Sequence, residues 1–131
     1  MIIYNKESHG LIWIQIGKEA IRDANGEVQA IDGKIELDIG SKGQLSRILN
    51  GISAQRNPHV LLDLGLVSYV DSSALWEIYD GYQKIIKSGG KFGLLHLNPD
   101  VKRIFDLTKL SKRIPIFKDP EEARQAIKGA P

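Results

Sequence analysis

Cysteine is absent from the 131 residues, which excludes disulfides and thiol chemistry and leaves the redox compartment open. No apolar run approaches the roughly 20 residues of a membrane span, and no basic-then-apolar leader opens the chain. The expectation is a soluble cytoplasmic protein without a membrane partner. Charge of neither sign dominates: 18 Lys and Arg against 16 Asp and Glu leave +2, which gives no reason to expect direct nucleic-acid contact. Repeats and low-complexity tracts are missing too. The glycines form neither a Gly-x-Gly-x-x-Gly nor a Walker A loop, so no nucleotide cofactor is indicated. His9, His59 and His96 stand far apart in no ligand spacing, so no metal site is indicated either. A chain this long can bury roughly two-thirds of its unfolded surface, so a core needs no staple. One domain spanning residues 1–131 is expected.

What is present is organised around one stretch. Val60-Leu61-Leu62-Asp63-Leu64 is a short apolar run between turn residues and reads as a buried strand. Gly65 to Val70 reads as a connection, and Asp71-Ser72-Ser73-Ala74-Leu75 as a helix N-terminus. Leu75, Ile78, Tyr79, Tyr82, Ile85 and Ile86 recur at three- and four-residue spacing and line one side of that helix. Ser88-Gly89-Gly90 stops it. Asp71 or Ser72 is the expected N-cap, because a short side-chain oxygen can accept a free N–H of the first turn.

Residues 1–40 read as β structure. Met1–Tyr4 and Leu11–Ile16 are strands with Asn5–Gly10 as the turn between them. Leu11, Trp13 and Gln15 share one face of the second strand, and Ile12, Ile14 and Ile16 the other. Asn25-Gly26 is a two-residue hairpin signal joining Glu19–Asp23 to Glu27–Ile31. Ile35, Leu37 and Ile39 alternate with acids as a half-exposed strand. Residues 41–128 alternate helices and strands. A helix over Ser41–Ser53 opens with capping-box spacing at Ser41 and Gln44 and has Leu45, Ile48, Leu49 and Ile52 as its stripe. Lys91–Leu97 is a strand. Asn98-Pro99 caps and opens a helix with Val101, Ile104, Phe105 and Thr108 on one side. Ile114–Phe117 is a last strand, and Asp119-Pro120 opens a last helix that Lys128-Gly129 closes. Such alternation implies a mixed or parallel sheet with its sites at strand C-termini, where Ser72 falls.

Three small polar residues after a core strand exceed what capping needs. A hydroxyl there sits beside unpaired N–H groups and the positive end of a helix dipole, a good place to hold a phosphate. Phosphate on Ser72 would add roughly 1.5 to 2 negative charges. A hydrolase reading would instead make Ser72 a nucleophile with His96 as base and Asp63 or Asp71 orienting it, but the Gly-x-Ser-x-Gly elbow is missing. Trp76 reads either as a residue on the rim of the core or as an exposed aromatic anchor beside Ser72. Lys102, Arg103, Lys109, Lys112 and Arg113 form a loose basic cluster, read as a solvated face or as an attractor of an acidic partner.

Asp71-Ser72-Ser73-Ala74-Leu75 after an apolar strand, Gly89-Gly90-Lys91 before the next, and Asn98-Pro99-Asp100-Val101 through Lys109-Leu110 after it closely resemble the STAS domain of bacterial anti-sigma factor antagonists. The resemblance covers residues 58–128. It implies a regulator and no enzyme. In that family the unmodified protein binds an anti-sigma factor, usually a serine kinase. The kinase phosphorylates the serine directly after the Asp, here Ser72, and a serine phosphatase reverses it. The implied fold is a single α/β STAS-like domain, a mixed β-sheet of about four to six strands packed against about four helices, here with an extended N-terminal β region. Asp71, Ser72, Ser73, Ala74 and Trp76 become the expected partner-binding residues.

The chain departs from the family in two places. Gly33-Lys34-Ile35-Glu36 is the nearest match to the usual Gly-x-Leu-Asp-like step and leaves extra residues before it, which could cover a sheet edge or build a homodimer contact. Ala74 stands where the family often has glycine. The alternative reading within the family is a scaffold or ligand-sensing module in which Ser72 is only a cap.

Overall fold

The computed structural model describes the backbone of residues 2–8, 11–17, 19–22, 28–32, 35–37 and 43–128, and the side chains of residues 11–17 and 43–127. Strand β6 (His59–Asp63) lies at the centre of a five-stranded sheet. On one side it pairs in parallel with β2 (Leu11–Gly17), which pairs antiparallel with β1 (Ile2–Ser8). On the other side come β8 (Lys91–Leu95) and the short β9 (Ile116–Phe117), both parallel. The sheet is therefore mixed, as the alternation of elements requires. Two further pairings flank it: β3 (Glu19–Arg22) with β4 (Val28–Asp32), antiparallel, and β5 (Ile35–Leu37) with β7 (Val67–Val70), parallel.

Alternation along the strands divides the core into two layers. Ile12, Ile14 and Ile16 of β2, Val60 and Leu62 of β6, and Phe92 and Leu94 of β8 face the helices α1 (Gln44–Ser53), α2 (Ser72–Lys87) and α3 (Pro99–Leu107). Leu11, Leu61 and Leu95 face the other way, against Ala123 and Ile127 of α4 (Pro120–Lys128), with Trp13 at their margin. Covered on both faces, β6 has to be apolar at successive positions, which is why it reads as an unbroken run. Helices α1 and α2 pack so closely that a Cβ on Gly81 would overlap Leu49 Cδ1 and stand 3.0 Å from its Cβ.

Several boundaries differ from expectation. Asn5–Ser8 continues β1: the antiparallel register runs from Ile2↔Gly17 to Ser8↔Leu11, so the ladder overrides the polar, turn-like composition. Most of the expected connection, Val67–Val70, is β7, whose Val67 and Val70 turn inward while Tyr69 faces out. Helix α1 begins at Gln44 with Gly43 as its N-cap at φ 90°, so Gln44 is not the third residue of a capping box. The Gly43 N–H is instead accepted by Glu77 of α2. Strand β8 stops at Leu95 because His96 takes a positive φ of 60°, outside the strand region. Ile114 precedes β9 and is reached through a 3-10 turn at Leu110–Lys112. Ile86 faces solvent, and Ala74 and Gly81 occupy core positions on α2 that the apolar stripe omits. On α3 only Val101 and Phe105 are fully buried; Thr108 is exposed. His9, the Asn25-Gly26 turn, Gly33-Lys34, Ile39, Ser41 and Gly129 lie outside the described residues.

Candidate functional site

The site begins where β7 delivers the chain to α2. Asp71 is the N-cap: its backbone is extended, at φ −88° and ψ 178°, and its Oδ1 accepts the Ala74 N–H at 2.9 Å. Ser72 follows as the first helical residue and is exposed, with no capping bond to make. Ser73 is half-buried. Ala74 differs from what the sequence suggests: it is 3 % exposed, its methyl belongs to the core, and a docked partner would not meet that side chain. The departure from glycine there costs the surface nothing.

Trp76 projects into solvent, 68 % exposed, and so is no rim residue. Its ring meets Tyr79 edge-on with centroids 6.1 Å apart. Tyr79 stacks on Tyr82 at 6.3 Å, and Tyr82 meets the buried Phe92 edge-on at 5.9 Å. A ladder of four rings thus runs from the surface into the core and steadies the exposed end. Beside it opens a cleft of about 350 Å³ lined by Ser72, Leu75, Trp76, Tyr79, Thr108, Leu110 and Arg113. Its floor is apolar. Arg113 closes one side and donates from Nη1 to Tyr79 Oη at 3.4 Å. Of the basic cluster only Arg113 lines the cleft; Lys102, Arg103, Lys109 and Lys112 are exposed. Periodicity could not reveal this cleft, because its two walls come from segments that are remote in sequence.

Asn98 fixes the second wall. Its Oδ1 caps α3 by accepting the Val101 N–H at 2.9 Å, while its Nδ2 donates to the Val67 carbonyl of β7 at 2.7 Å. One side chain thus positions α3 against the strand that leads into Ser72.

The groups of the hydrolase reading are divided. His96 Nδ1 lies 3.2 Å from Asp63 Oδ1, so that pair forms. Asp71 is committed to its cap, and among the described residues no hydrogen bond joins Ser72 to His96. Asp63 is buried and has further partners: Oδ1 also accepts the Gly65 N–H at 2.9 Å, and Oδ2 accepts the Trp13 indole N–H at 3.2 Å. At the end of β6, this carboxylate joins that strand to Trp13 within β2 and to His96 just past β8. Among the described residues no cluster of His, Cys, Asp and Glu could hold a metal ion, and no helix is long and apolar enough to cross a membrane.

The sheet order, the capped α2 and the exposed serine at its start set the terms for comparison. The STAS domain family profile matches residues 25–123. The chain belongs to the STAS domain family. The match begins well before residue 58 and takes in part of the extended N-terminal region of this STAS chain. An anti-sigma F factor antagonist of Paenibacillus polymyxa is 33% identical over 66 residues, which are 50% of this chain and 56% of that protein. The match to this curated relative thus spans little more than half of its length. A crystal structure of an anti-sigma factor antagonist from Mycobacterium paratuberculosis superposes with a TM-score of 0.75 at 21% identity, covering 98% of the STAS chain and 94% of that one. The Bacillus cell fate determinant SpoIIAA, solved in its phosphorylated form, gives a TM-score of 0.64 at 13% identity over 95% and 99% of the two chains. At these identities the solved structures share the fold.

Proposed function

We propose that this STAS chain is a non-enzymatic anti-sigma factor antagonist, a single regulatory domain switched by phosphorylation of Ser72. One observation carries the reading: Asp71 provides the helix cap, so Ser72 is left exposed at the mouth of an apolar cleft beside Trp76. A serine needed only as a cap would hold the bond that Asp71 holds. The likeness to an anti-sigma F factor antagonist over 66 residues supports the partner class.

In the unmodified form the Ser72, Ser73 and Trp76 surface docks on an anti-sigma factor of the serine-kinase type, with Trp76 as the aromatic anchor. Phosphate on Ser72 places roughly 1.5 to 2 negative charges in a contact made for a neutral hydroxyl, and repulsion plus desolvation release the partner. A serine phosphatase restores the binding form. The cytoplasm, where sigma factors act, is the site of this cycle.

The test is paired capture from lysate of the source organism with wild type, Ser72→Asp and Ser72→Ala as baits. Wild type and Ser72→Ala retrieve a kinase-like anti-sigma factor, and Ser72→Asp does not. Equal capture by all three baits would make Ser72 structural and the domain a scaffold.

A further inference from the structure

Ser72 and Tyr79 are seven residues apart on α2, close to two full turns, so they share a face about 10 Å apart along the axis. A helical side chain leans towards the N-terminus of its helix, which carries the Tyr79 hydroxyl back towards Ser72. Arg113 holds that hydroxyl at 3.4 Å. Arg113 and Ser72 also line the same cleft, with Leu75 and Leu110 in its lining. A guanidinium therefore stands across an apolar cleft from the serine hydroxyl.

Two features leave that guanidinium available. Among the described residues the ion pairs are Lys84–Asp80, His96–Asp63 and Lys102–Asp106, and none engages Arg113. Its tie to Tyr79 is a long bond to a neutral acceptor, the weak end of the hydrogen-bond range. A phosphate is a far stronger acceptor and can take two parallel N–H bonds from one guanidinium.

We propose that Arg113 is the internal receptor for the phosphate carried by Ser72. The guanidinium leaves the Tyr79 hydroxyl, takes the phosphate in a two-pronged contact, and draws across the mouth of the cleft. Phosphorylation then shuts the apolar cleft as well as charging its edge. This rests on the reading of Ser72 as a phosphorylation site, and it adds a residue that makes the modified form a closed one.

The experiment uses the full chain with phosphoserine encoded at position 72, so that no kinase has to be identified. The second ionisation of the phosphate is followed by phosphorus NMR in wild type, Arg113→Gln, Arg113→Lys and Lys112→Gln. The Asp71 carboxylate and the Tyr79 hydroxyl near the phosphate are common to all four and cancel. Wild type titrates lower than Arg113→Gln by about half a unit or more, as a cation in direct contact demands. Arg113→Lys falls between them, since an ammonium is a point charge without the fork. Lys112→Gln, changed at an exposed neighbour, matches wild type. Superposed curves for wild type and Arg113→Gln would overturn the proposal, and so would a shift in Lys112→Gln as large as that in Arg113→Gln. Failure of the unmodified chain to capture an anti-sigma factor would count against the antagonist reading alone. An unmoved titration with binding still blocked by Ser72→Asp would remove the clamp and leave the switch.

Discussion

Asp63 Oδ1 lies 3.2 Å from His96 Nδ1, yet the two residues do unequal work. Asp63 is buried and also serves the Gly65 N–H and the Trp13 indole, whereas the His96 side chain is 40% exposed and can turn to water. Asp63→Ala takes the acceptor from the part-buried Gly65 and Trp13 N–H groups and lowers stability by about 1–3 kcal/mol. His96→Ala costs less than about 1 kcal/mol, because its partner keeps the other bonds. Urea unfolding of the two variants checks this, and equal losses would contradict it.

Gly81→Ala destabilises the protein, against the usual sense of that change. In an exposed helix interior, alanine gains about 1 kcal/mol over glycine. Here the new methyl overlaps the fully buried Leu49, and overpacking of this kind costs about 1–3 kcal/mol. The double variant Gly81→Ala with Leu49→Ala makes room for the methyl. Its loss is smaller than the sum of the single losses in thermal unfolding; strict additivity would place the contact elsewhere.

Trp76→Ala separates binding from folding. The ring is mostly in solvent, so the melting curve moves by no more than about 0.5 kcal/mol in stability. Affinity for the captured anti-sigma factor falls tenfold or more, as expected for an aromatic anchor. A large drop in stability with unchanged affinity would return Trp76 to a structural role.

Asp106, at the end of α3, has its carboxyl held below the ordinary aspartate range, mainly by the Ser111 hydroxyl and further by the Lys102 ammonium. A lowered folded-state value stabilises the native state above the unfolded-state value, and the benefit is lost as pH falls through the folded one. Ser111→Ala therefore raises the Asp106 midpoint in a carbon-detected NMR titration. It lowers the melting temperature at neutral pH and leaves it unchanged in strong acid, where the carboxyl is protonated in both proteins. A loss that persists in acid would assign Ser111 another role.

The elements that were legible in the sequence are those whose signals are local. The strand at Val60–Leu64, a cap at Asp71 or Ser72, the glycine stop after Ser88 and the Asn98-Pro99 start each follow from a few adjacent residues. The structure sets the strand at His59–Asp63 and gives the cap to Asp71. The two faces of Leu11–Ile16 were also readable, because alternation maps directly onto the two layers. What stayed hidden depends on partners distant along the chain. Glu77 meeting Gly43, Asn98 meeting Val67, and Arg113 meeting Tyr79 have no spacing signature. Strand β7 was hidden for the same reason: four residues declare a strand only when β5 lies beside them. Ala74 and Gly81 were missed because a small side chain in a close contact carries no apolar signal.

The parallel pairing of β2 with β6 also sets an order of events in folding. Strands β1 and β2 form a local hairpin, with Ser8 opposite Leu11. The second neighbour of β2 is remote: Leu11 pairs with His59 and Gln15 with Asp63. A ribosome releases the hairpin long before β6 emerges, so a nascent chain holds Ile12, Ile14 and Ile16 without the α1 and α2 surface that covers them. Closing that long loop is a non-local step, slow compared with helix formation.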